Sequence, residues 1–305
     1  MSSSTRFSID AETRSGQFQR QQSRFRGWVS EPVAGRYHLY VALACPWSQR
    51  VAIVRKLKGL EDAISISYAA PYRDERGWAF PGGAYVDDLH GWEFLSAGYE
   101  QTEPGFEGRV TVPVLWDKEA GRIVSNESQD IVRMLNADFN AVAGVPELDL
   151  YPEALREEID ALNDRVYDTV NNGVYRVGFS TSQEAYDQAF AELFASLAWL
   201  EELLGERRYL AGDVITEADW RLWVTLLRFD PVYYVHFRCN GRRLIDHPNL
   251  WAYARELHQQ PSVRETVAME QIKEHYYTTH DMLNPKRIIP AGPLDLDWDQ
   301  PHGRG

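Results

Sequence analysis

The tetrapeptide Cys45-Pro46-Trp47-Ser48 stands between two runs of different period. Before it, Tyr37-His38-Leu39-Tyr40-Val41-Ala42-Leu43 is aromatic and β-branched, the composition of a strand. After it, between Ser48 and Leu60, the apolar residues Val51, Val54, Leu57 and Leu60 recur at helical spacing. Proline suits the first helical position, where its missing N–H has no intrahelical partner to lose. The chain is therefore expected to turn from strand to helix here, with Cys45 at the cap. Unpaired backbone N–H groups and the positive end of the helix dipole favour a thiolate at that place. The alternative is a buried structural cysteine, which a Cys-Pro-x-Ser turn after a strand disfavours.

The fourth residue decides the chemistry. A thioredoxin-like dithiol needs Cys-x-x-Cys, and Ser48 occupies the resolving position. The chain's other thiol, Cys239, lies far away in a segment read as helical, either as a spare core cysteine or a surface one. A single nucleophilic cysteine must be resolved by an outside thiol, and glutathione is the obvious candidate. Two cysteines in 305 residues also argue against a secreted disulfide scaffold.

A chain of 305 residues suggests two domains. Hydrophobic residues make up 44% and charged residues 25%, enough to bury a sizeable core. The net charge of −13 disfavours nucleic acid and anionic membranes as partners. No apolar stretch approaches the length of a membrane span, and residues 1–26, rich in Ser, Gln and Arg, lack the apolar core of a secretory signal. A cytoplasmic protein is expected. There is no internal repeat, no His or Cys set with metal spacing, and no phosphate loop.

The remaining pattern divides into an α/β half and an α half. Ile64–Tyr68 alternates like a strand, residues 71–109 form a long Gly- and aromatic-rich loop, and Val112–Trp116 with Arg122–Val124 suggest a hairpin around Gly121. Glu127–Phe139 reads as a helix. This β-α-β-loop-β-β-α order is thioredoxin-like. Helical patterns then cover Glu153–Asn171, Gln183–Leu204, Thr216–Arg228, Pro248–Gln259 and Met269–Tyr277. Thr216-Glu217-Ala218-Asp219 resembles a capping box with Asp in place of Glu. The expected organisation is an N-terminal extension (1–34), a thioredoxin-like domain (35–140, with the insertion 71–109), an all-helical domain (150–290) and a tail (291–305).

Several residues invite ligand chemistry. Glu127 and Ser128 open a helix, where backbone N–H groups bind carboxylates. Ser128 suits the α-carboxylate of a γ-glutamyl group and Glu127 its ammonium, although plain capping by Ser125 or Asn126 remains open. Trp78 either covers a ligand or packs on its own loop, and Arg109 either pairs with a carboxylate or is solvated. Tyr175, Tyr233 and Tyr276 fall on or beside three separate helices, as core residues or as hydroxyl donors.

Together, an N-terminal thioredoxin-like domain and a C-terminal helical domain resemble the glutathione transferase superfamily. The motif Cys45-Pro46-Trp47 is similar to the Cys-containing branch, most of all the glutathionyl-hydroquinone reductases, or xi class. The similarity runs from about Ser23 to Pro290. It is carried by Arg24-Phe25-Arg26, Trp78, Arg109–Asp117, Asn126-Glu127-Ser128, Asn171–Phe179, Tyr233 and Tyr276. One departure is Ser48, where many members carry Ala; its hydroxyl could reach Cys45. The resemblance implies Cys45 as nucleophile, Tyr175 as proton donor, and Tyr233 and Tyr276 as hydroxyls favouring the thiolate. Glutathione would be held by Trp78, Arg109, Val110, Thr111, Val112, Glu127 and Ser128, with Val112 pairing the cysteinyl backbone before a cis Pro113. It further implies glutathione as co-substrate, glutathionylated hydroquinones as substrates, no bound cofactor and a homodimer. The rivals are an omega-like thioltransferase or dehydroascorbate reductase using the same Cys45, and a non-catalytic ligand- or protein-binding module.

Overall fold

A computed structural model of the chain describes residues 13–304. Residues 1–12 of the expected N-terminal extension, and Gly305, lie outside the described residues. In chain order the elements are β1 (Thr13–Arg14), β2 (Gln17–Phe18), β3 (Tyr37–Val41), α1 (Pro46–Leu57), β4 (Ser65–Tyr68), α2 (Ser96–Thr102), β5 (Val114–Asp117), β6 (Arg122–Ser125) and α3 (Ser128–Ala137). There follow α4 (Arg156–Val166), α5 (Gly173–Gly178), α6 (Gln183–Glu206), α7 (Glu217–Arg228), α8 (Pro248–His258), α9 (Pro261–Arg264) and α10 (Met269–Thr279). Among the described residues, 21–149 and 266–281 form one compact unit; 13–20, 150–265 and 282–304 form another.

In the first unit four strands lie in the order β4-β3-β5-β6. β3 runs parallel to β4 and antiparallel to β5, which pairs antiparallel with β6. Every residue of β3 is buried, as a central strand covered on both faces requires. α1 supplies the crossover between the parallel strands, burying Val51, Ala52, Ile53 and Val54. The segment before β3 clasps the sheet edge: Phe25 N–H donates to Asn126 Oδ1 (2.9 Å) and Gly27 N–H to Val124 O (2.9 Å).

The long insertion is more ordered than its composition suggests. It contains α2, and Asp87 accepts hydrogen bonds from the backbone N–H groups of Leu89, His90 and Trp92 and from the Tyr40 hydroxyl. Trp78, Phe80, Leu95 and Tyr99 of this segment enter the same buried cluster as Cys45, Val112 and Trp116. Apolar side chains spaced irregularly along a loop carry no period, so their shared burial is invisible one-dimensionally.

α10 is another departure. Its period assigns it to the helical half, yet it packs with the sheet-bearing unit. His275 Nδ1 lies 2.7 Å from Pro71 O, and the Arg73 N–H donates to Thr279 Oγ1 at 3.3 Å. A helical period identifies an apolar face but not the surface that covers it.

The second unit is helical, apart from the β1–β2 hairpin. Every residue of α7 is buried, so this helix is its core. The capping box forms as read: Thr216 and Asp219 cap each other's backbone N–H groups. The long helix expected over Glu153–Asn171 resolves into a 3-10 turn, α4 and a π turn over Tyr167–Asn171. The tail is docked rather than loose. Trp298 packs edge-on against Trp251 with centroids 4.7 Å apart, Arg304 pairs with Glu256 (2.8 Å) and Arg243 with Asp295 (2.6 Å). Cys239 lies outside helix, after a turn. No helix among the described residues is long and apolar enough to cross a membrane.

Candidate active site

Cys45 is the N-cap of α1, with extended backbone angles (φ −83°, ψ 123°), and Pro46 takes the first helical position. The Cys45 carbonyl accepts from Gln49 N–H at 3.0 Å, so the helix starts on the cysteine itself. The thiol makes no capping bond; it donates to the Val112 carbonyl, 3.7 Å away. Cys45 is 8% exposed. Ser48 is fully buried and its Oγ has no hydrogen-bond partner, so the bond to Cys45 entertained from the sequence is not formed. Cys239 differs from Cys45: it is fully buried, and desolvation pushes its thiol well above the usual range.

Val112 is joined to Pro113 by a cis peptide bond immediately before β5 and is buried in the Cys45 cluster, with Val110 packed against that cluster. Thr111 has a clasp that the sequence did not reveal. The Tyr99 hydroxyl donates to Thr111 O (2.8 Å) and accepts from its N–H (3.1 Å), while Asn126 Nδ2 donates to Thr111 Oγ1 (3.0 Å). Burial raises the Tyr99 phenol, outweighing the lowering by its bonds to Thr111 and Asn126, so it stays a neutral hydroxyl. Thr111's backbone groups are thus engaged within the fold. The Arg109 N–H donates to Gln21 Oε1 (3.2 Å), and its side chain is half-buried.

Trp78 is 3% exposed, so it is not a surface residue of its loop. Its ring stacks on His275 (centroids 5.1 Å, 19°), and the Arg73 guanidinium lies 5.5 Å from the ring centre. Pro71 O can only accept, so His275 Nδ1 carries the proton there. Tyr276, buried in the same unit, meets His275 and His280 edge-on at 5.3 and 5.6 Å.

At the start of α3, Glu127 is the N-cap. Its Oε1 accepts from Gln129 N–H (3.1 Å) and its Oε2 from Ser23 Oγ (2.8 Å). Ser125 instead accepts from the Glu127 N–H at 3.1 Å. Burial pushes the Glu127 carboxyl up, but Arg50, the Gln129 N–H, Ser23 and Arg26 together hold it below the usual range, so it is charged at neutral pH. Ser128 is buried and its Oγ accepts from Arg50 Nη2 at 2.5 Å. Arg50 was not singled out from the sequence. An arginine in a helix is normally solvated, and nothing local marks this one as buried.

In the second unit, Tyr175 on α5 and Tyr233 in the π turn after α7 come together, with ring centroids 6.0 Å apart. The Arg20 guanidinium lies 4.5 Å from the Tyr175 ring centre and its Nε donates to Asn172 Oδ1 (3.0 Å). Tyr233 is fully buried, stacked on Phe237. Among the described residues no group of three or more His, Cys, Asp or Glu has the arrangement of a metal site.

Comparison with known proteins places this geometry in a family. The glutathione S-transferase N-terminal domain family matches residues 44–138, and its C-terminal domain family residues 183–256. Glutathionyl-hydroquinone reductase YqjG of Escherichia coli K12 is 50% identical, over 97% of this chain and 94% of its own length. Glutathionyl-hydroquinone reductase PcpF of Sphingobium chlorophenolicum is 48% identical, over 93% and 92%. The glutathione-bound structure of YqjG superposes with a TM-score of 0.89, covering 92% of this chain and 96% of that one at 50% identity. The glutathione transferase Xi of Phanerochaete chrysosporium gives 0.90, covering 92% and 94% at 47% identity. The chain belongs to the glutathione transferase superfamily and, within it, to the xi-class family of glutathionyl-hydroquinone reductases.

Proposed function

We propose that the protein reduces glutathionyl-hydroquinones to hydroquinones at the expense of glutathione, through a Cys45–glutathione mixed disulfide. The observation that carries this is the contrast between the two thiols. Cys45 caps α1, whereas Cys239 is sealed in its unit and held protonated. In the first half-reaction Cys45 thiolate attacks the thioether sulfur. An S–S bond forms, the S–C(aryl) bond breaks, and the ring carbon takes the electron pair and a proton. In the second, a glutathione thiolate attacks the mixed disulfide, oxidised glutathione leaves, and Cys45 thiolate is regenerated. This is ping-pong chemistry with the protein thiol as carrier.

Tyr175 is assigned the proton, and Tyr233 and Tyr276 hydrogen bonds to the thiolate, on the strength of the resemblance. Glutathione is assigned to Glu127 and Ser128 at its γ-glutamyl end, to Val112 at its cysteinyl backbone, and to Trp78, Arg109, Val110 and Thr111 along the same run. A charged, half-buried Glu127 supports the first assignment, since an ammonium is the partner it would accept. A dimeric, cytoplasmic enzyme is part of the same reading.

Turnover of a glutathionyl-hydroquinone, set against hydroxyethyl disulfide and dehydroascorbate, tests the proposal. The hydroquinone thioether should be the preferred substrate and Cys45→Ala should abolish its reduction. Tyr175→Phe should lose about 10²–10⁴ in the first half-reaction, which expels carbon, and little in the second, which expels a thiolate. Substantial activity in Cys45→Ala would overturn the covalent route; preference for dehydroascorbate would favour an omega-like reductase.

A further inference from the structure

We infer that Arg50 is a positioning residue for the γ-glutamyl end of glutathione, setting the direction of the Ser128 hydroxyl and the place of the Glu127 carboxylate. It acts in this way only if Glu127 and Ser128 hold that group, as proposed above.

Arg50 lies in the second turn of α1 and is 3% exposed. Its guanidinium centre is 5.0 Å from the Trp47 ring centre, Nη2 is 2.5 Å from Ser128 Oγ, and Nη2 is 3.9 Å from Glu127 Oε1. A guanidinium has donors and no acceptor. Ser128 Oγ must therefore accept from Arg50, and its own proton must point elsewhere. Among the described residues that proton finds only a marginal acceptor, Glu127 Oε1 at 3.5 Å. An α-carboxylate at the start of α3 would be a far better one, placed where backbone N–H groups and the helix dipole also favour an anion. A hydroxyl that accepts from a cation is itself polarised into a stronger donor.

The same guanidinium acts on Glu127. Both carboxylate oxygens are held from the protein side, by Gln129 N–H and Ser23 Oγ, with Arg50 close to Oε1. Arg50 and Glu127 together carry no net charge, which matches an α-amino-acid end that is itself zwitterionic. Buried beside Trp47, Arg50 cannot swing into solvent to relieve a mismatch. The arrangement selects for the γ-glutamyl group rather than for thiols in general.

Kinetics of the first half-reaction on the full-length protein, with a glutathionyl-hydroquinone and with the cysteinylglycine thioether of the same hydroquinone, which lacks the γ-glutamyl group, test this. Arg50→Met should raise KM for the glutathionyl-hydroquinone about 10- to 100-fold, the range for one charge-assisted hydrogen bond. It should leave the rate at saturating thioether, and the rate over KM for the cysteinylglycine thioether, nearly unchanged. Arg50→Lys, which keeps a charge and a donor, should recover part of the loss. In a Ser128→Ala background Arg50→Met should cost less than it does alone. Equal losses with both thioethers, or an unchanged KM for the glutathionyl-hydroquinone, would overturn the role of Arg50. If Glu127→Gln and Ser128→Ala raise the KM while Arg50→Met does not, Arg50 alone is misassigned. If those two variants leave the KM unchanged, the γ-glutamyl site falls and Arg50's role with it.

Discussion

Asp219 is the residue whose loss the second unit should tolerate least. Its carboxylate is fully buried and accepts four hydrogen bonds. Oδ1 takes Leu210 N–H (3.0 Å) and the Tyr253 hydroxyl (2.8 Å); Oδ2 takes Thr216 N–H (2.7 Å) and the Thr216 hydroxyl (3.0 Å). One side chain thus closes the cap of α7, the segment before it and a tyrosine of α8. Asp219→Ala removes all four acceptors. The two hydroxyls can rotate, but the two backbone N–H groups cannot, and each buried orphan costs about 1–3 kcal/mol. The sum is about 2–6 kcal/mol against the ~5–15 kcal/mol typical of a folded domain. Desolvation raises the Asp219 carboxyl above its usual range, opposed by bonds from Leu210, Thr216 and Tyr253; removing a costly buried charge therefore moves the expectation toward the lower half. Urea unfolding followed through tryptophan emission, to which Trp220 and Trp223 of α7 contribute, measures it. Asp219→Asn, which keeps one acceptor oxygen, should fall between wild type and Asp219→Ala. A loss below about 1 kcal/mol in Asp219→Ala would refute the assumption that these N–H groups have no other acceptor.

Two further outcomes are expected. Incubation with oxidised glutathione should add one glutathione, at Cys45 and not at the sealed, protonated Cys239, as intact mass and peptide mapping would show; modification of Cys239 would mean that its burial is not maintained in solution. Burial lowers His38, set between the Ser65 and Ser67 hydroxyls, to about 4. The unfolded chain, titrating near ~6.5, then binds more protons than the folded one between the two values, so stability present above that pH is lost as pH falls toward 4. This one histidine corresponds to about 2 kcal/mol between pH 7 and pH 5, and His236 and His258, lowered to about 4 by the same cause, act in the same direction. Urea midpoints at the two pH values check it. A wild-type midpoint that does not fall, or a His38→Gln variant with an undiminished fall, would show that His38 is not the buried neutral group described.

Much of the architecture is written in local chemistry. Pro46 after an aromatic and apolar run, the period from Val51 to Leu60, and the Thr216–Asp219 box each depend on residues within a turn or two, where sterics and capping act without long-range help. That is why the strand-to-helix turn at Cys45 and the start of α7 stand where the sequence puts them. Which side chains share a buried environment is a different matter. Arg50 donates to a serine 78 positions away, and Asn126 reaches Tyr99 and Thr111 from 27 and 15 positions away. α10 lies against the insertion through His275 and Pro71, separated by 204 positions. No periodicity spans such distances, so whether a charge is solvated or enclosed, and which sheet a helix covers, was decided only when the chain closed on itself. Cys45 was legible because its place comes from the helix it starts; Arg50 was not, because the serine it meets sits on a helix it does not belong to.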